Sequence, residues 1–179
     1  MEYRNTAGSL WYALQVRTKY ENIVASGLNQ RDITNFLPLY EKKTQWSDRV
    51  KTLSLPLFPG YIFANFCRAQ AHRLHTVPGF MHIVGQGNVP EPLEEAEIAA
   101  VRRLVARGVR VGPWPYCKAG QLVEVVAGPM TGLRGTYIRT KSEDRLIVSL
   151  PLLQRSVATE IESYNVRLVA PGYHLAGAA

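Results

Sequence analysis

The spacing of apolar and polar residues divides the chain into a front part of mixed strands and helices and a rear part of short strands. Leu10–Val16 is rich in strand-forming residues, and Tyr61–Phe66 alternates as a half-buried strand does. A helix is predicted after Thr18, because Glu21 follows it at the spacing of a capping box. Residues 94–106 predict a second, amphipathic helix whose first turn carries glutamates.

Weaker patterns complete the front part. Residues 33–40 predict a strand interrupted by a proline, and the charged residues 41–51 predict a loop or a hairpin tip. Residues 68–77 have a helical pattern that ends at Pro78-Gly79, and residues 80–84 predict another strand. The front part is therefore expected to combine helices with a sheet.

The rear part is punctuated by glycine and proline, as a small β-barrel requires. Gly128-Pro129 ends an apolar run, and Gly132 and Gly135 recur where a chain must bend sharply or approach another backbone closely. Residues 107–116, with several glycines and prolines, predict a linker. Extended segments are predicted at 121–127, 135–140, 145–150, 155–161 and 165–169, and flexible ends at 1–9 and 171–179.

Composition narrows the class of protein. The chain has 179 residues, with neither an apolar run long enough for a membrane helix nor a signal-peptide pattern, which predicts a cytoplasmic protein without membrane attachment. Its two cysteines are far apart, and the pair His72 and His75 has no carboxylate nearby, so neither a metal nor another cofactor is expected. No nucleotide-binding loop, nucleophile elbow or zinc-protease motif occurs, so we predict a non-enzymatic protein, and nothing indicates a dimer.

Positive charge is concentrated in the front part. The net charge is +7, and residues 10–73 hold nine Lys or Arg side chains against four acidic ones. Residues 91–106 are instead acidic, with four glutamates and two arginines. Such segregation favours a surface that faces nucleic acid, although a modest excess of charge also serves solubility.

Two motifs in a fixed order carry a resemblance to a known family. The run from Gly120 to Gly135 resembles a KOW motif. Ahead of it come Trp11-Tyr12, a helix, the run Phe58-Pro59-Gly60-Tyr61-Ile62-Phe63 and an acidic helix, an order similar to the N-terminal domain of NusG-type transcription factors. The resemblance implies an α+β fold: an N-terminal α/β sandwich with an antiparallel sheet over residues 10–106, and a small SH3-like β-barrel (KOW) over residues 117–170.

The resemblance also implies a function without chemistry. A NusG-type elongation or antitermination factor binds the clamp helices of RNA polymerase through its N-terminal domain, and its KOW domain recruits ribosomal protein S10 or the termination factor Rho. Tyr61 and Phe63 match positions that contact the polymerase, with Phe58 and Trp11 flanking or supporting them. His72 and Arg73 match a segment near the polymerase β subunit. Each of these side chains has an alternative place in the core or on an ordinary surface, and the core is favoured for Trp11.

Further positions match nucleic-acid and partner contacts in relatives. Arg17, Lys19 and Arg31 match positions near the non-template DNA strand, where basic side chains would hold phosphates without reading sequence. In the KOW domain, Leu152, Leu153 and Arg155 match the tip that contacts S10 and Rho. There Leu153 replaces an aromatic residue and Gln154 a glycine, which weakens the prediction for Rho more than that for S10; one of the two leucines is expected to fill the barrel.

Three alternatives stay open from the sequence. The tract 45–49 is more similar to the specialised RfaH-like antiterminators than to the housekeeping factor. A ribosome- or RNA-binding KOW protein would use the same basic residues 17–51 on RNA. In some relatives the KOW domain packs against the N-terminal domain or refolds as helices, although the valines and turn glycines here favour a barrel.

Overall fold

The chain divides into two compact units, Met1–Ile98 and Ala99–Ala179. The structure, a computed structural model, describes residues 8–45, 50–87, 89–106, 110–114, 120–139, 144–162 and 165–169. The predictions for the flexible tail, most of the flexible N-terminus and residues 46–49 of the antiterminator-like tract therefore lie outside the described residues.

The first unit is built on an antiparallel sheet. Its elements in chain order are β1 (Leu10–Val16), α1 (Glu21–Asn29), β2 (Thr34–Phe36), β3 (Leu39–Gln45), β4 (Val50–Pro56), β5 (Tyr61–Phe66), a 3-10 helix (Arg68–Thr76), β6 (Phe80–Ile83), β7 (Gly85–Gln86), β8 (Val89–Pro90) and β9 (Pro92–Leu93), followed by α2 (Glu95–Ala106). The sheet has the order β2-β5-β1-β6, and β9 also pairs with β1. The predicted strands at 10–16, 61–66 and 80–84 and the helices predicted after Thr18 and at 94–106 are confirmed, and the helical pattern of residues 68–77 corresponds to the 3-10 helix.

One face of this sheet forms the main core of the unit with α1. Leu14 on β1 and Ile62 on β5 are opposite each other in the register and are fully buried. Val24 and Leu28, one turn apart on α1, belong to the same cluster. Because strand side chains alternate, Tyr61 and Phe63 on β5 lie on the opposite face from Ile62.

The start of α1 differs from the predicted capping box. The N-cap residue is Tyr20, and no side chain caps the helix there. Thr18 lies two residues before that position. Glu21 is the first helical residue, and its carboxylate instead accepts a hydrogen bond from the amide of Gly60.

Residues 41–51, predicted as a loop or hairpin tip, belong mostly to two strands. β3 and β4 pair antiparallel from Leu39↔Pro56 to Gln45↔Val50, so the described residues of this segment are paired strands and not the predicted loop or hairpin tip. Residues 46–49 lie outside the described residues. Charged residues such as Lys42 and Lys43 are tolerated in the strand because both are exposed.

The second unit is β-rich, as predicted. Its strands are β10 (Val111–Trp114), β11 (Gln121–Val125), β12 (Arg134–Arg139), β13 (Asp144–Leu150), β14 (Arg155–Glu160) and β15 (Val166–Leu168), with a short 3-10 turn at Pro151–Leu153. They form one antiparallel sheet in the order β10-β14-β13-β12-β11-β15. All five predicted segments correspond to strands, and the α+β fold class is confirmed.

β10 corrects the predicted linker of residues 107–116. Within that range, Val111–Trp114 pair with β14 from Val111↔Thr159 to Trp114↔Ser156. Proline is tolerated at position 113 because β10 lies at the edge of the sheet, where one side of the strand needs no ladder donors. The guanidinium carbon of Arg145 also lies 4.9 Å from the centre of the Trp114 ring.

The two glycines at positions 132 and 135 have the two predicted roles. Gly132 adopts φ 79° in the turn between β11 and β12, a conformation that L side chains rarely adopt. Gly135 lies on β12, where an added Cβ would stand 2.6 Å from the carbonyl oxygen of Ile147. The first glycine therefore permits the bend and the second permits close strand packing.

Candidate functional site

Five aromatic side chains gather around the sheet face opposite α1, and we call this set the aromatic face. It consists of Trp11, Phe36, Phe58, Tyr61 and Phe63. Phe63 on β5 pairs with Ala13 on β1 at one side and with Phe36 on β2 at the other side. The small Ala13 side chain leaves room for the rings beside it.

Most of the aromatic face is closed to solvent. Phe63 is 0% exposed, Phe58 2% and Trp11 4%, whereas Tyr61 and Phe36 are half-buried. The Phe58 and Phe63 rings meet edge to face at 5.6 Å, and Phe36 stacks on Phe63 at 6.1 Å. Among the residues predicted from the resemblance to contact polymerase, Tyr61 is thus the aromatic ring that reaches the surface.

The turn that carries Phe58 and Tyr61 is held from both sides. The amide of Tyr61 donates to the carbonyl of Phe58 at 3.0 Å, and Gly60 adopts φ 81°, the pattern of a Pro-Gly β-turn. The Gly60 carbonyl accepts from the Val16 amide at 2.9 Å, and the Gly60 amide donates to the Glu21 carboxylate at 2.9 Å. Phe58 and Tyr61 are therefore attached firmly to the junction of β1 and α1.

His72 and Arg73 lie on the 3-10 helix that follows β5. His72 is exposed, and its Nδ1 lies 2.8 Å from the carbonyl oxygen of Ala69. Arg73 is half-buried. In the part of the chain that the structure describes, no group of three or more His, Cys, Asp or Glu side chains could hold a metal ion.

The three basic residues predicted to lie near DNA have different environments. Arg17 and Lys19 are exposed in the connection between β1 and α1, with the Arg17 guanidinium carbon 5.3 Å from the centre of the Tyr20 ring. Arg31 instead donates to the Thr76 hydroxyl at 3.0 Å, the Thr76 carbonyl at 2.8 Å and the Gly27 carbonyl at 2.8 Å. Arg17 and Lys19 therefore have exposed side chains, whereas Arg31 joins the end of α1 to the 3-10 helix.

The predicted partner tip of the second unit lies in the turn between β13 and β14. Leu153 is buried and Leu152 is half-buried, so one of the two leucines fills the interior, as predicted. Gln154 has φ 48° and ψ 43°, the left-handed conformation that glycine adopts most easily. Arg155 follows it with an exposed side chain.

One acidic side chain among the described residues has a displaced pKa at the start of α2. Burial raises the pKa of Glu97 above its ordinary value of 4.5, the hydrogen bond from the Glu94 amide lowers it, and the Glu94 charge raises it. That hydrogen bond is 3.0 Å long and satisfies one of the amides at the helix start. Its role is therefore to cap α2.

The comparison with protein families decides the classification. The family model described as "Transcription termination factor nusG" matches residues 9–102. The chain belongs to the NusG family. The match covers the first unit and most of α2, so it includes the aromatic face and the Pro-Gly turn that orders it.

Curated relatives extend the NusG similarity over the second unit. The transcription termination/antitermination protein NusG of Helicobacter pylori strain 26695 is 27% identical over 165 residues, covering 84% of this chain and 93% of the relative. That of Streptococcus pyogenes serotype M1 is 25% identical over 171 residues, covering 87% and 94%. These comparisons support a NusG-type transcription termination/antitermination factor.

A solved structure of a NusG protein shares the fold. The structure titled "Domain interaction in Thermotoga maritima NusG" has a TM-score of 0.55, 18% identity, and covers 90% of this chain and 97% of that chain. The mixed first unit and the β-rich second unit thus share the fold of that structure. No helix in the described part of the chain is long and apolar enough to cross a membrane.

Sequence reasoning missed two contributors to the site. Phe36 stacks on Phe63, but it lies on a three-residue strand too short for a convincing alternating pattern. Glu21 reaches Gly60 across 39 positions of sequence, and nothing in the local pattern distinguishes it from an ordinary residue of the first helical turn. For Phe36, the signal was its position within the predicted strand of residues 33–40, two residues before Pro38.

Proposed function

We propose that this NusG-family protein binds the clamp of RNA polymerase through its first unit and recruits a second partner through its KOW domain. The observation that carries the proposal is the aromatic face, which the family match includes and the Pro-Gly turn orders. The action is binding without catalysis: a factor that prefers the closed clamp shifts the polymerase toward its processive state.

Tyr61 is the proposed anchor for the clamp helices. Its ring is half-buried, so its rotamer is restricted by packing while part of its surface stays available. Phe58 and Phe63 lie behind it as a buried edge-to-face pair and serve as its support. Trp11 has a supporting role on β1, and the exposed His72 and the half-buried Arg73 are proposed to flank the contact.

Arg17 and Lys19 are proposed to hold the non-template DNA strand. Both are exposed in one connection, and cations there can bind phosphates without sequence preference. Arg31 contributes through the position of α1, because its guanidinium is already used by Thr76 and Gly27.

The proposed partner of the KOW domain is ribosomal protein S10. Leu152 and Arg155 offer an apolar side chain and an exposed cation at the tip between β13 and β14. Rho is the weaker candidate, because Leu153 is turned into the interior and the tip lacks an aromatic ring. Titration of the labelled full chain with S10 and with Rho, followed by NMR, distinguishes the two partners.

The test of polymerase binding uses Tyr61→Ala in the intact chain and core RNA polymerase from the native host. We expect a loss of affinity of about ten-fold or more, as for a buried aromatic anchor at an interface. Ile23→Ala is the matched control, because Ile23 is an exposed apolar residue on α1, which packs on the opposite sheet face. Equal binding of the two variants, with both folded by circular dichroism, would overturn the proposal.

A further inference from the structure

The 3-10 helix Arg68–Thr76 has little buried surface of its own to hold it in place. Its nine residues make it long for such a helix, whose tight winding gives poorer hydrogen bonds than an α-helix. Leu74 is buried, whereas the other residues of the helix are exposed or half-buried. Its first turn is closed locally, because the Cys67 amide donates to the side chain of Gln70 at 3.1 Å. Its last turn is held from outside the helix.

Thr76, at the end of this helix, is the residue that α1 holds. Nε of Arg31 donates to the Thr76 hydroxyl at 3.0 Å, and Nη2 donates to the Thr76 carbonyl at 2.8 Å. Nη1 of the same guanidinium donates to the carbonyl of Gly27 on α1 at 2.8 Å. Each nitrogen of the guanidinium thus has its own acceptor, and the planar fork of arginine fixes the three acceptors relative to one another.

A glycine on α1 permits this close contact. An added Cβ at Gly27 would stand 2.8 Å from Cγ1 of Val77, the residue that follows the 3-10 helix. Val77 is buried and belongs to the same core cluster as Val24 and Leu28 of α1. An apolar contact on the buried side and the bonds of Arg31 on the exposed side therefore hold the same junction.

The Thr76 hydroxyl extends the connection one turn back along the helix. It accepts from Arg31 and donates to the carbonyl of Arg73 at 2.9 Å. Arg73 and its neighbour His72 are the residues of this helix proposed to flank the polymerase contact. Residues three apart in a 3-10 helix lie one above the other, so a shift of Thr76 displaces the turn that carries both. A continuous series of hydrogen bonds thus runs from α1 to Arg73.

We propose that Arg31 is a positioning residue for the polymerase contact. It fixes Thr76, and Thr76 fixes the turn that presents His72 and Arg73. This inference rests on the proposed function of the first unit, and it assigns Arg31 to the contact with a protein, although the resemblance implies a place near DNA. Lysine at position 31 would not replace arginine, because a single ammonium group cannot hold the three acceptors in one plane.

The Thr76 hydroxyl permits a test that leaves the charge of the protein unchanged. Thr76→Val keeps the shape of the side chain and removes both hydroxyl bonds. We expect its affinity for core RNA polymerase from the native host to fall roughly three- to ten-fold, the effect of one lost hydrogen bond. Thr76→Ser keeps the hydroxyl and is expected to bind as the parent chain does. Equal affinity of the valine variant and the parent chain would disprove the positioning role.

Thr131→Val is the matched control. Thr131 is also exposed, its hydroxyl also donates to a carbonyl three residues earlier, that of Gly128, and its carbonyl also accepts from an arginine, Arg103. These bonds lie in the second unit, so affinity for core polymerase is expected to stay unchanged. If Thr131→Val weakened binding as much as Thr76→Val, the effect would not belong to the 3-10 helix and the proposal would be wrong.

A mutant cycle separates positioning from a general effect on stability. His72→Ala/Arg73→Met removes the side chains that are positioned, and we expect this variant to bind polymerase more weakly. In that background Arg31→Met and Thr76→Val are expected to cost little further affinity, because the contact they serve is already lost. All variants are compared at a temperature at which circular dichroism shows them folded. An undiminished loss in that background, or normal binding by His72→Ala/Arg73→Met, would contradict the proposal.

A salt titration separates positioning from direct contact with phosphates. An arginine that binds a phosphate of a single strand contributes about 0.7 to the slope of log affinity against log salt. We expect Arg31→Met to leave the slope for oligothymidylate unchanged, and the exposed Arg17 to show this contribution in Arg17→Met. A smaller slope for Arg31→Met would return Arg31 to the nucleic-acid contacts and reject its positioning role.

Failure of this proposal is distinguishable from failure of the proposed clamp contact. Tyr61→Ala tests the aromatic face and leaves the bonds of Arg31 in place. If Tyr61→Ala weakens polymerase binding and Thr76→Val does not, the clamp contact is supported and the positioning role is rejected. If Thr76→Val weakens binding and Tyr61→Ala does not, the 3-10 helix is supported as a polymerase contact and the proposed anchor is rejected.

Discussion

The buried carboxylate of Glu21 accepts a hydrogen bond from the amide of Gly60, 39 residues further along the chain, at 2.9 Å. Glu21 is 3% exposed and begins α1, where the helix dipole favours a negative charge. Gly60 belongs to the turn that presents Phe58 and Tyr61. The first helix of the unit therefore holds the turn that carries two of the five rings of the aromatic face.

Replacing Glu21 is expected to loosen that turn. Glu21→Ala removes the acceptor and leaves the buried amide of Gly60 without a partner, which we expect to lower the free energy of unfolding by about 1–3 kcal/mol. Glu21→Gln keeps an acceptor oxygen in place and is expected to lose less. Amide hydrogen exchange of β1 and β5 measures the effect within the first unit.

The contrast between the two Glu21 variants is decisive for the role of the hydrogen bond. If Glu21→Gln is as unstable as Glu21→Ala, the negative charge matters rather than the acceptor oxygen alone. If neither variant changes protection of Tyr61 and its neighbours, the Glu21 contact does not hold the turn.

The main contribution expected of Arg31 is to the stability of the first unit, and any contribution to nucleic-acid binding is secondary. Its guanidinium makes three hydrogen bonds, to Thr76 twice and to Gly27, which tie the end of α1 to the 3-10 helix. Arg31→Met keeps the apolar stem and removes these bonds, so we expect a loss of about 1–2 kcal/mol in the free energy of unfolding. Arg17→Met, on the exposed connection, is the control and is expected to leave stability within about 0.5 kcal/mol. Chemical denaturation compares the free energies of unfolding of the two variants. Equal values would mean that the Arg31 guanidinium is available to nucleic acid, as is proposed for Arg17 and Lys19.

Regular patterns made most of the fold predictable, and long-range contacts set the limit. The alternation in β5 was enough to place Tyr61 and Phe63 on the face opposite Ile62, and the structure confirms it. The same alternation could not tell whether that face would be open. Burial of Phe63 depends on Phe36, which comes from another strand, and on Phe58, which the Pro-Gly turn folds back beside it.

Errors arose where local chemistry conflicted with pairing. Glycine and proline at positions 112 and 113 indicated a linker, yet an edge strand accommodates both because it lacks a neighbour on one side. The charged residues around Lys42 indicated a loop, yet a two-stranded ribbon has two surfaces that can accept charge. In both cases the strand with which the segment pairs decides the structure, and the local pattern does not identify that strand.

Glu97 provides a pH-dependent prediction. Because its pKa is raised in the folded state, chiefly by burial, its favourable contribution is fully present below its unfolded pKa of 4.5 and is lost as the pH rises through the folded pKa. Glu97→Gln keeps an acceptor for the Glu94 amide and carries no charge. At neutral pH we expect the variant to be more stable by about 0.5 kcal/mol or less, since the group is partly exposed. Tm measured against pH should show the two proteins converging below pH 4.5; a constant difference would contradict the titration of Glu97.

Gln154 is expected to be a strained position whose replacement by glycine stabilises the second unit. Its backbone lies at φ 48° and ψ 43°, and a residue with a Cβ loses about 1–2 kcal/mol in this left-handed region. Glycine removes that strain but also gains entropy in the unfolded chain, so we expect Gln154→Gly to raise the free energy of unfolding by about 0.5–1 kcal/mol. Gln154→Ala is the control, because it removes the side chain but keeps the Cβ, and no gain is expected. Hydrogen exchange in β13 and β14 separates this unit from the first, and equal protection in the glycine and alanine variants would show that the backbone conformation is not the source of the difference.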